Sequence, residues 1–191
     1  RALVEGCSIR SVERMTGVHR DTITCLLVRV GDTCERLSDN MMRGLSCNRI
    51  EVDEIWCYVG KKQRHVQPED DIGTVGDFCT WVAMDAETKL VPSYRVGKRD
   101  GANGYAFISD LESRLNNRVQ ISSDGLRAYV DAIEYSFGAD VDYAQIVKTY
   151  EAEPTGPGRY SPPKVTSTDK TIIQGRPDES LISTSYVERG N

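Results

Sequence analysis

The chain has 191 residues, of which 39% are hydrophobic and 28% are charged, and its formal net charge is −5. Such a composition can build a globular core, and no apolar run reaches the roughly 18 residues that suggest a membrane span. The acidic balance excludes a uniformly basic nucleic-acid coat but is compatible with local contacts to DNA. Both ends of the sequence fall within predicted helices, so we expect a fragment of a longer protein.

Residues 2–30 are predicted to be helical, with a break at Thr16, Gly17 and Val18. Apolar residues recur at helical spacing on both sides of the break, which indicates two short helices joined by a turn. In a helix-turn-helix motif, the first residues of the second helix face the DNA bases.

Those residues are His19, Arg20, Asp21 and Thr22, of which His19, Arg20 and Thr22 are the predicted DNA contacts, so residues 1–30 are predicted to be a DNA-binding segment. Residues 31–48 are predicted to be a helical linker. The alternative interpretation of the first 30 residues is a helical hairpin that only packs.

From residue 49 the sequence predicts alternating strands and helices. Strand-favouring residues and their flanking turns predict strands over 50–59, 78–85, 89–96, 118–123 and 140–150, with a possible further strand over 164–173. Helical spacing of apolar residues predicts helices over 101–117, 125–137 and 183–191. Polar residues predict an exposed loop over 60–76, and prolines and glycines predict another over 153–163.

Three acidic residues stand in three of these elements: Asp53 within the first strand, Asp124 at the end of the fourth, and Glu188 in the last helix. The element order is that of a ribonuclease H-like α/β domain over residues 49–191, with a mixed five-stranded sheet and flanking helices. In that plan the fourth strand runs parallel beside the central first strand, so the first two carboxylates meet. We therefore predict a site for Mg²⁺ or Mn²⁺ in which two ions serve phosphoryl transfer.

The residues alone leave the composition of this site open. Side chains alternate across a strand, so Asp53 and Glu54 point to opposite faces and only one of them is expected in the site with Asp124. Periodicity does not choose between them. Asp124 also precedes Gly125 and a predicted helix, and a helix-capping role is an alternative that is compatible with metal binding.

Several short motifs resemble the transposases of the "insertion sequence one" type. They are VDEIW at 52–56, GKRDG at 97–101, SDG at 123–125, GADVDY at 138–143 and STSYVER at 183–189. The resemblance implies a DDE transposase in which Asp53, Asp124 and Glu188 are the catalytic, metal-binding triad. It thereby selects Asp53 over Glu54.

The resemblance also implies what the protein acts on. Such enzymes bind terminal inverted repeats of double-stranded DNA, expose a 3′-hydroxyl by hydrolysis and join it to target DNA, and we expect a homo-oligomer in the active complex. Arg189 is expected near a DNA phosphate, whereas Trp56 is expected in the core. The sequence shows no signal peptide, so we expect a cytoplasmic, nucleoid-associated protein.

Two departures from the family bear on activity. Family members carry a cysteine-rich zinc-binding segment before the helix-turn-helix and continue well beyond the glutamate, and this chain shows neither. We therefore expect a C-terminally truncated fragment that lacks full activity. The alternative hypotheses are a DNA-binding regulator with a catalytically dead domain of this fold, and a nuclease of the same fold.

Overall fold

The computed structural model describes residues 1–151 and 164–190. It forms two compact units, Arg1–Arg43 and Gly44–Asn191. The helices are α1 (Ile9–Thr16), α2 (Arg20–Met41), α3 (Gly101–Arg114), α4 (Arg127–Phe137) and α5 (Ser185–Gly190). The strands are β1 (Arg49–Val59), β2 (Gly76–Asp85), β3 (Ser93–Gly97), β4 (Val119–Ser123), β5 (Val141–Glu151) and β6 (Lys164–Gln174). Among the described helices, none combines the length and the apolar character that crossing a bilayer requires.

The first unit contains the two predicted helices and the turn between them. Ser8 caps α1, since its Oγ accepts the N–H of Ser11 at 3.2 Å. Gly17 ends this helix at a φ of +72°, a conformation that glycine adopts without steric cost. Residues 2–6 form turns rather than the predicted helix.

The second helix is longer than the sequence predicted. It continues beyond residue 30 and takes up most of the predicted linker before it ends at Met41. No proline interrupts it, and a single internal glycine, Gly31, costs only about 1 kcal/mol. The predicted apolar face of α2 is largely exposed, because Ile23 is buried but Leu26 and Leu27 are not.

The second unit is built on a mixed sheet with the strand order β3-β2-β1-β4-β5-β6. As predicted, β1 lies inside the sheet, antiparallel to β2 and parallel to β4. The prediction of five strands is wrong, because Lys164–Gln174 pairs antiparallel with β5 as a sixth strand. Its sequence is rich in threonine and lysine, which suits an edge strand, and this polar pattern gave no basis for assigning it to the sheet.

The main core lies where α3 and α4 meet β1, β2 and β4. Trp81 and Tyr129 are fully buried there, with their rings packed edge to face at a centroid distance of 5.6 Å. Ile50 and Val52 bring β1 into the same core. The strand that carries Asp53 is therefore fixed by the largest apolar cluster of the described residues.

Two further predictions concern residues outside this core. Trp56 was expected in the core, but it is 51% exposed. Lys62 places its Nζ 5.4 Å from the centroid of this ring. The predicted loop over 153–163 lies outside the described residues.

Candidate metal centre

Asp53 and Asp124 lie where β4 ends beside β1. The parallel pairing of the two strands ends at Glu51, which is opposite Ser122. Asp53 lies two residues farther along β1, and Asp124 directly follows the last residue of β4. The topology thus brings together two residues that are far apart in sequence.

Asp53, Glu54 and Asp124 form a cluster of carboxylates. One oxygen of each lies within 4.8 Å of an oxygen of the other two. The expectation that only one of Asp53 and Glu54 reaches Asp124 is therefore wrong. Alternation directs the two side chains to opposite faces, but β4 has ended at this point, so no paired strand separates those faces.

Burial and crowding of like charge both act on this cluster. Burial raises the pKa of Asp53, and the negative charges of Asp124 and Glu188 raise it further, while a backbone hydrogen bond and Lys148 oppose the shift. Burial is also the main cause that raises the pKa of Glu54. A cation would relieve both effects, and the all-oxygen donor set fits Mg²⁺ or Mn²⁺ rather than a soft metal.

Arg99 partly neutralises the cluster. Its Nε lies 3.3 Å from Glu54 Oε2, and its Nη2 lies 3.7 Å from Asp124 Oδ2. The Glu54 side chain is only 4% exposed, and the half-exposed Arg99 supplies a positive charge that partly compensates its carboxylate. On the buried side, Tyr129 lies beside Glu54, and its pKa is raised well above the ordinary value by burial and by that carboxylate.

Asp124 has a second role in the turn that precedes α4. Its Oδ1 accepts the backbone N–H of Leu126 at 2.9 Å. The capping interpretation is wrong, because Leu126 is the N-cap residue of α4 and no side chain caps this helix. Asp124 instead stabilises the preceding turn through Oδ1, while its Oδ2 pairs with Arg99.

Glu188 lies on α5 and lines the same cavity as Asp53 and Asp124, a space of about 300 Å³. Lys148 on β5 donates to both of its carboxylate oxygens, at 2.5 and 2.6 Å. Thr184 donates its hydroxyl to Oε1 at 2.6 Å. Among the described residues, Glu188 is not a member of the close cluster, because its carboxylate is held by these two donors beside it.

The residues predicted to contact DNA are all on the surface. His19 caps α2, with its Nδ1 accepting the N–H of Asp21 at 3.3 Å. Arg20 and Thr22 follow on the exposed first turn of that helix. Arg189 is exposed on α5, next to Glu188.

Sequence reasoning missed four residues around the acids. Glu54 is a member of the cluster, Arg99 is the partner of Glu54 and Asp124, and Lys148 and Thr184 are the partners of Glu188. Thr184 lies four residues before Glu188, a spacing that places two side chains on the same side of a helical turn. That spacing was a usable signal. Lys148 and Arg99 gave none, because their approach depends on the tertiary fold.

Comparison with protein-family models gives no match, and no curated protein matches either. Among solved structures, the chain is similar to a Mos1 transposase paired-end complex with the left transposon end, with 17% identity and a TM-score of 0.32 over 73% of this chain and 56% of that one. It is also similar to the Mos1 strand transfer complex, with 18% identity and a TM-score of 0.31 over 73% of this chain and 55% of that one. The chain thus spans little more than half the length of these structures.

Proposed function

We propose that the protein is a metal-dependent DNA transposase of the DDE type, which cleaves DNA strands and joins them to a target. The observation that carries this proposal is the carboxylate cluster around Asp53 and Asp124, with Glu188 on the wall of the same cavity. Three or more acids in a half-buried cavity cost folding free energy unless a cation compensates them. The position of these acids in a ribonuclease H-like strand order supports the same function.

In this proposal Asp53 and Asp124 bind Mg²⁺ or Mn²⁺ directly, and Glu188 completes a site for two ions. The ions, when bound, activate the attacking water or hydroxyl and stabilise the leaving oxygen. The chain's own contribution is to hold the carboxylates in place. Arg99 limits the repulsion at Glu54 and Asp124, and Lys148 holds the Glu188 carboxylate at the cavity wall.

The proposed partner is double-stranded DNA, as terminal inverted repeats and as target. His19, Arg20 and Thr22 are exposed at the start of α2, where a recognition helix presents its first residues to the bases. Arg189 offers a positive charge beside the cavity wall for a phosphate. Action on two DNA ends favours a homo-oligomer. Because its partner is DNA, the proposed location is the cytoplasm, in association with the nucleoid.

The test is an assay of strand cleavage and strand transfer with DNA that contains the sequences flanking the gene. We expect both reactions to require Mg²⁺ or Mn²⁺. Asp124→Asn and Asp53→Asn should each lower the rate by at least about 100-fold, because even the loss of an outer-shell partner of a metal can cost that much. Asp131→Asn, on the exposed side of α4, is the matched control and should leave the rate unchanged.

The products distinguish the competing hypotheses. Cleaved but never joined DNA would indicate a nuclease. Specific DNA binding without cleavage, with either metal ion, would indicate a regulator with a dead catalytic domain. Unchanged transfer by Asp124→Asn would contradict the proposed site itself.

A further inference from the structure

The helix that carries Glu188 is attached to β1 by a buried carboxylate. Glu51 is fully buried, and its Oε2 accepts the backbone N–H groups of Tyr186 at 2.7 Å and of Val187 at 3.1 Å. These N–H groups belong to the first turn of α5, where a helix has no internal acceptors for them. A side chain 135 residues away in sequence therefore supplies the acceptor that the start of this helix needs.

The energetic cost of this arrangement indicates a specific role. A buried carboxylate is expensive, and Glu51 Oε1 is also buried without a hydrogen-bond partner. A short helix could be capped by its own serine or threonine at far lower cost. Ser183 accepts the N–H of Ser185 at 3.0 Å, whereas the next two N–H groups of the helix have the carboxylate of Glu51, on another element, as their acceptor.

The position of Glu51 links two parts of the candidate site. It lies two residues before Asp53 on β1, and the helix it binds carries Glu188 one residue after Val187. Val187 is fully buried, which fixes the rotation of the helix at the same point. The carboxylate thus sets the distance between the strand with the first acid and the helix with the third.

We propose that Glu51 is a positioning residue that keeps Glu188 at the metal cavity by binding the first turn of α5. The proposal rests on the proposed function for its catalytic consequence, but the attachment of the helix can be tested without activity. Glu51→Leu removes the acceptor, whereas Glu51→Gln keeps one oxygen that accepts both N–H groups. Ser122→Ala is the matched control, since Ser122 is a buried polar residue paired with Glu51 across the strands.

The first measurement is amide hydrogen exchange in the full chain. In Glu51→Leu we expect faster exchange at Tyr186, Val187 and Glu188, with unchanged protection in β4. Glu51→Gln and Ser122→Ala should keep the protection of α5. Unchanged protection in Glu51→Leu would overturn the proposal, whether or not the chain has enzymatic activity.

The second measurement is a double-mutant cycle on metal-dependent cleavage. Glu51→Leu should lower kcat by about 10- to 100-fold, the range seen when groups that orient metal ligands are lost, while KM for DNA stays unchanged. In a Glu188→Gln background, Glu51→Leu should cause little further loss, because the carboxylate that Glu51 positions is already absent. Independent, multiplying effects would contradict a positioning role.

A third variant covers the case in which Glu51→Leu does not fold. Tyr186→Pro removes the shorter of the two hydrogen bonds from the helix side, at the second residue of α5, whose N–H has no acceptor within the helix. We expect the same loss of kcat and faster exchange at Val187. Full activity together with full protection would overturn the proposal. If the chain shows no cleavage with any metal ion but α5 loosens as predicted, the proposed function fails and the role of Glu51 in holding the helix stands.

Discussion

Replacing Asp124 by asparagine should stabilise the metal-free protein while it abolishes metal binding. The substitution removes one negative charge from the cluster with Asp53 and Glu54. It keeps the side-chain oxygen that accepts the N–H of Leu126, so the turn before α4 is preserved. The ion pair with Arg99 is lost.

The size of the effect follows from the distances. Two unit charges at 4.8 Å, the upper limit of the oxygen separations in the cluster, repel by about 0.9 kcal/mol at the dielectric constant of water and by about 3.5 kcal/mol at an effective value of 20. Attraction to Arg99 across 3.7 Å is about 1.1 to 4.5 kcal/mol on the same scale. The two repulsions of Asp124 by Asp53 and Glu54 together exceed its one attraction to Arg99. The Asp124 side chain is 40% exposed, so solvent screening favours the smaller of these energies. We expect a net gain of about 0.5–1 kcal/mol, or about 1–4 °C in Tm.

The assay is thermal unfolding of Asp124→Asn and the unsubstituted chain, first with EDTA and then with Mg²⁺. With EDTA the variant should melt higher. With Mg²⁺ at about 100 times its Kd, the unsubstituted chain gains about 2.7 kcal/mol and the order should reverse. Asp131→Asn should follow the unsubstituted chain in both conditions. A lower Tm for Asp124→Asn than for the unsubstituted chain in EDTA, or an equal rise in the Tm of both proteins with Mg²⁺, would refute this reasoning.

Three other predictions concern charge, pH and thiols. Lys148→Met should tighten Mg²⁺ binding in calorimetry, because a positive charge leaves the cavity while Thr184 still donates a hydrogen bond to the Glu188 carboxylate; weaker binding would contradict this. Arg118 holds the pKa of Asp142 below its ordinary value, so Asp142→Asn should lower Tm at neutral pH. The difference in Tm should begin to shrink as the pH falls through about 4 and should vanish below the lowered pKa of Asp142; a constant difference would count against the Arg118–Asp142 pair. Alkylation followed by mass spectrometry should modify the exposed thiols before the buried ones, whose pKa burial raises: Cys25 and Cys34 before Cys47 and Cys79. Equal rates would show that the core opens readily.

The sequence predicted the parts of the fold that depend on local pattern. Strand and helix order in the second unit followed from periodicity, and the parallel neighbour of β1 followed from that order. The end of α2 was predicted too early, at residue 30, because the next residue is Gly31 and glycine commonly ends helices; here Gly31 is helical and the helix continues to Met41. Trp56 was wrongly assigned to the core because alternation assigns a residue to a face of the strand but does not show how well that face is covered at each position.

The sequence predicted that the acids Asp53 and Asp124 meet, but it did not predict the residues that surround them. Asp53 and Asp124 meet because of strand order, which the sequence contains. Glu54 joins them because β4 stops short of it, and strand length at a sheet interior is a tertiary property. Glu51 could not have been singled out, since its partners are backbone N–H groups that carry no sequence signature.

The central claim is that Asp53 and Asp124 bind a divalent metal ion together. Anomalous diffraction from a crystal of the chain grown with Mn²⁺ tests it most directly. We predict a peak in the cavity bounded by Asp53, Asp124 and Glu188, with oxygens of the first two carboxylates bonded to the ion. Mn²⁺ bound only elsewhere, or no peak in this cavity at saturating Mn²⁺, would contradict the account.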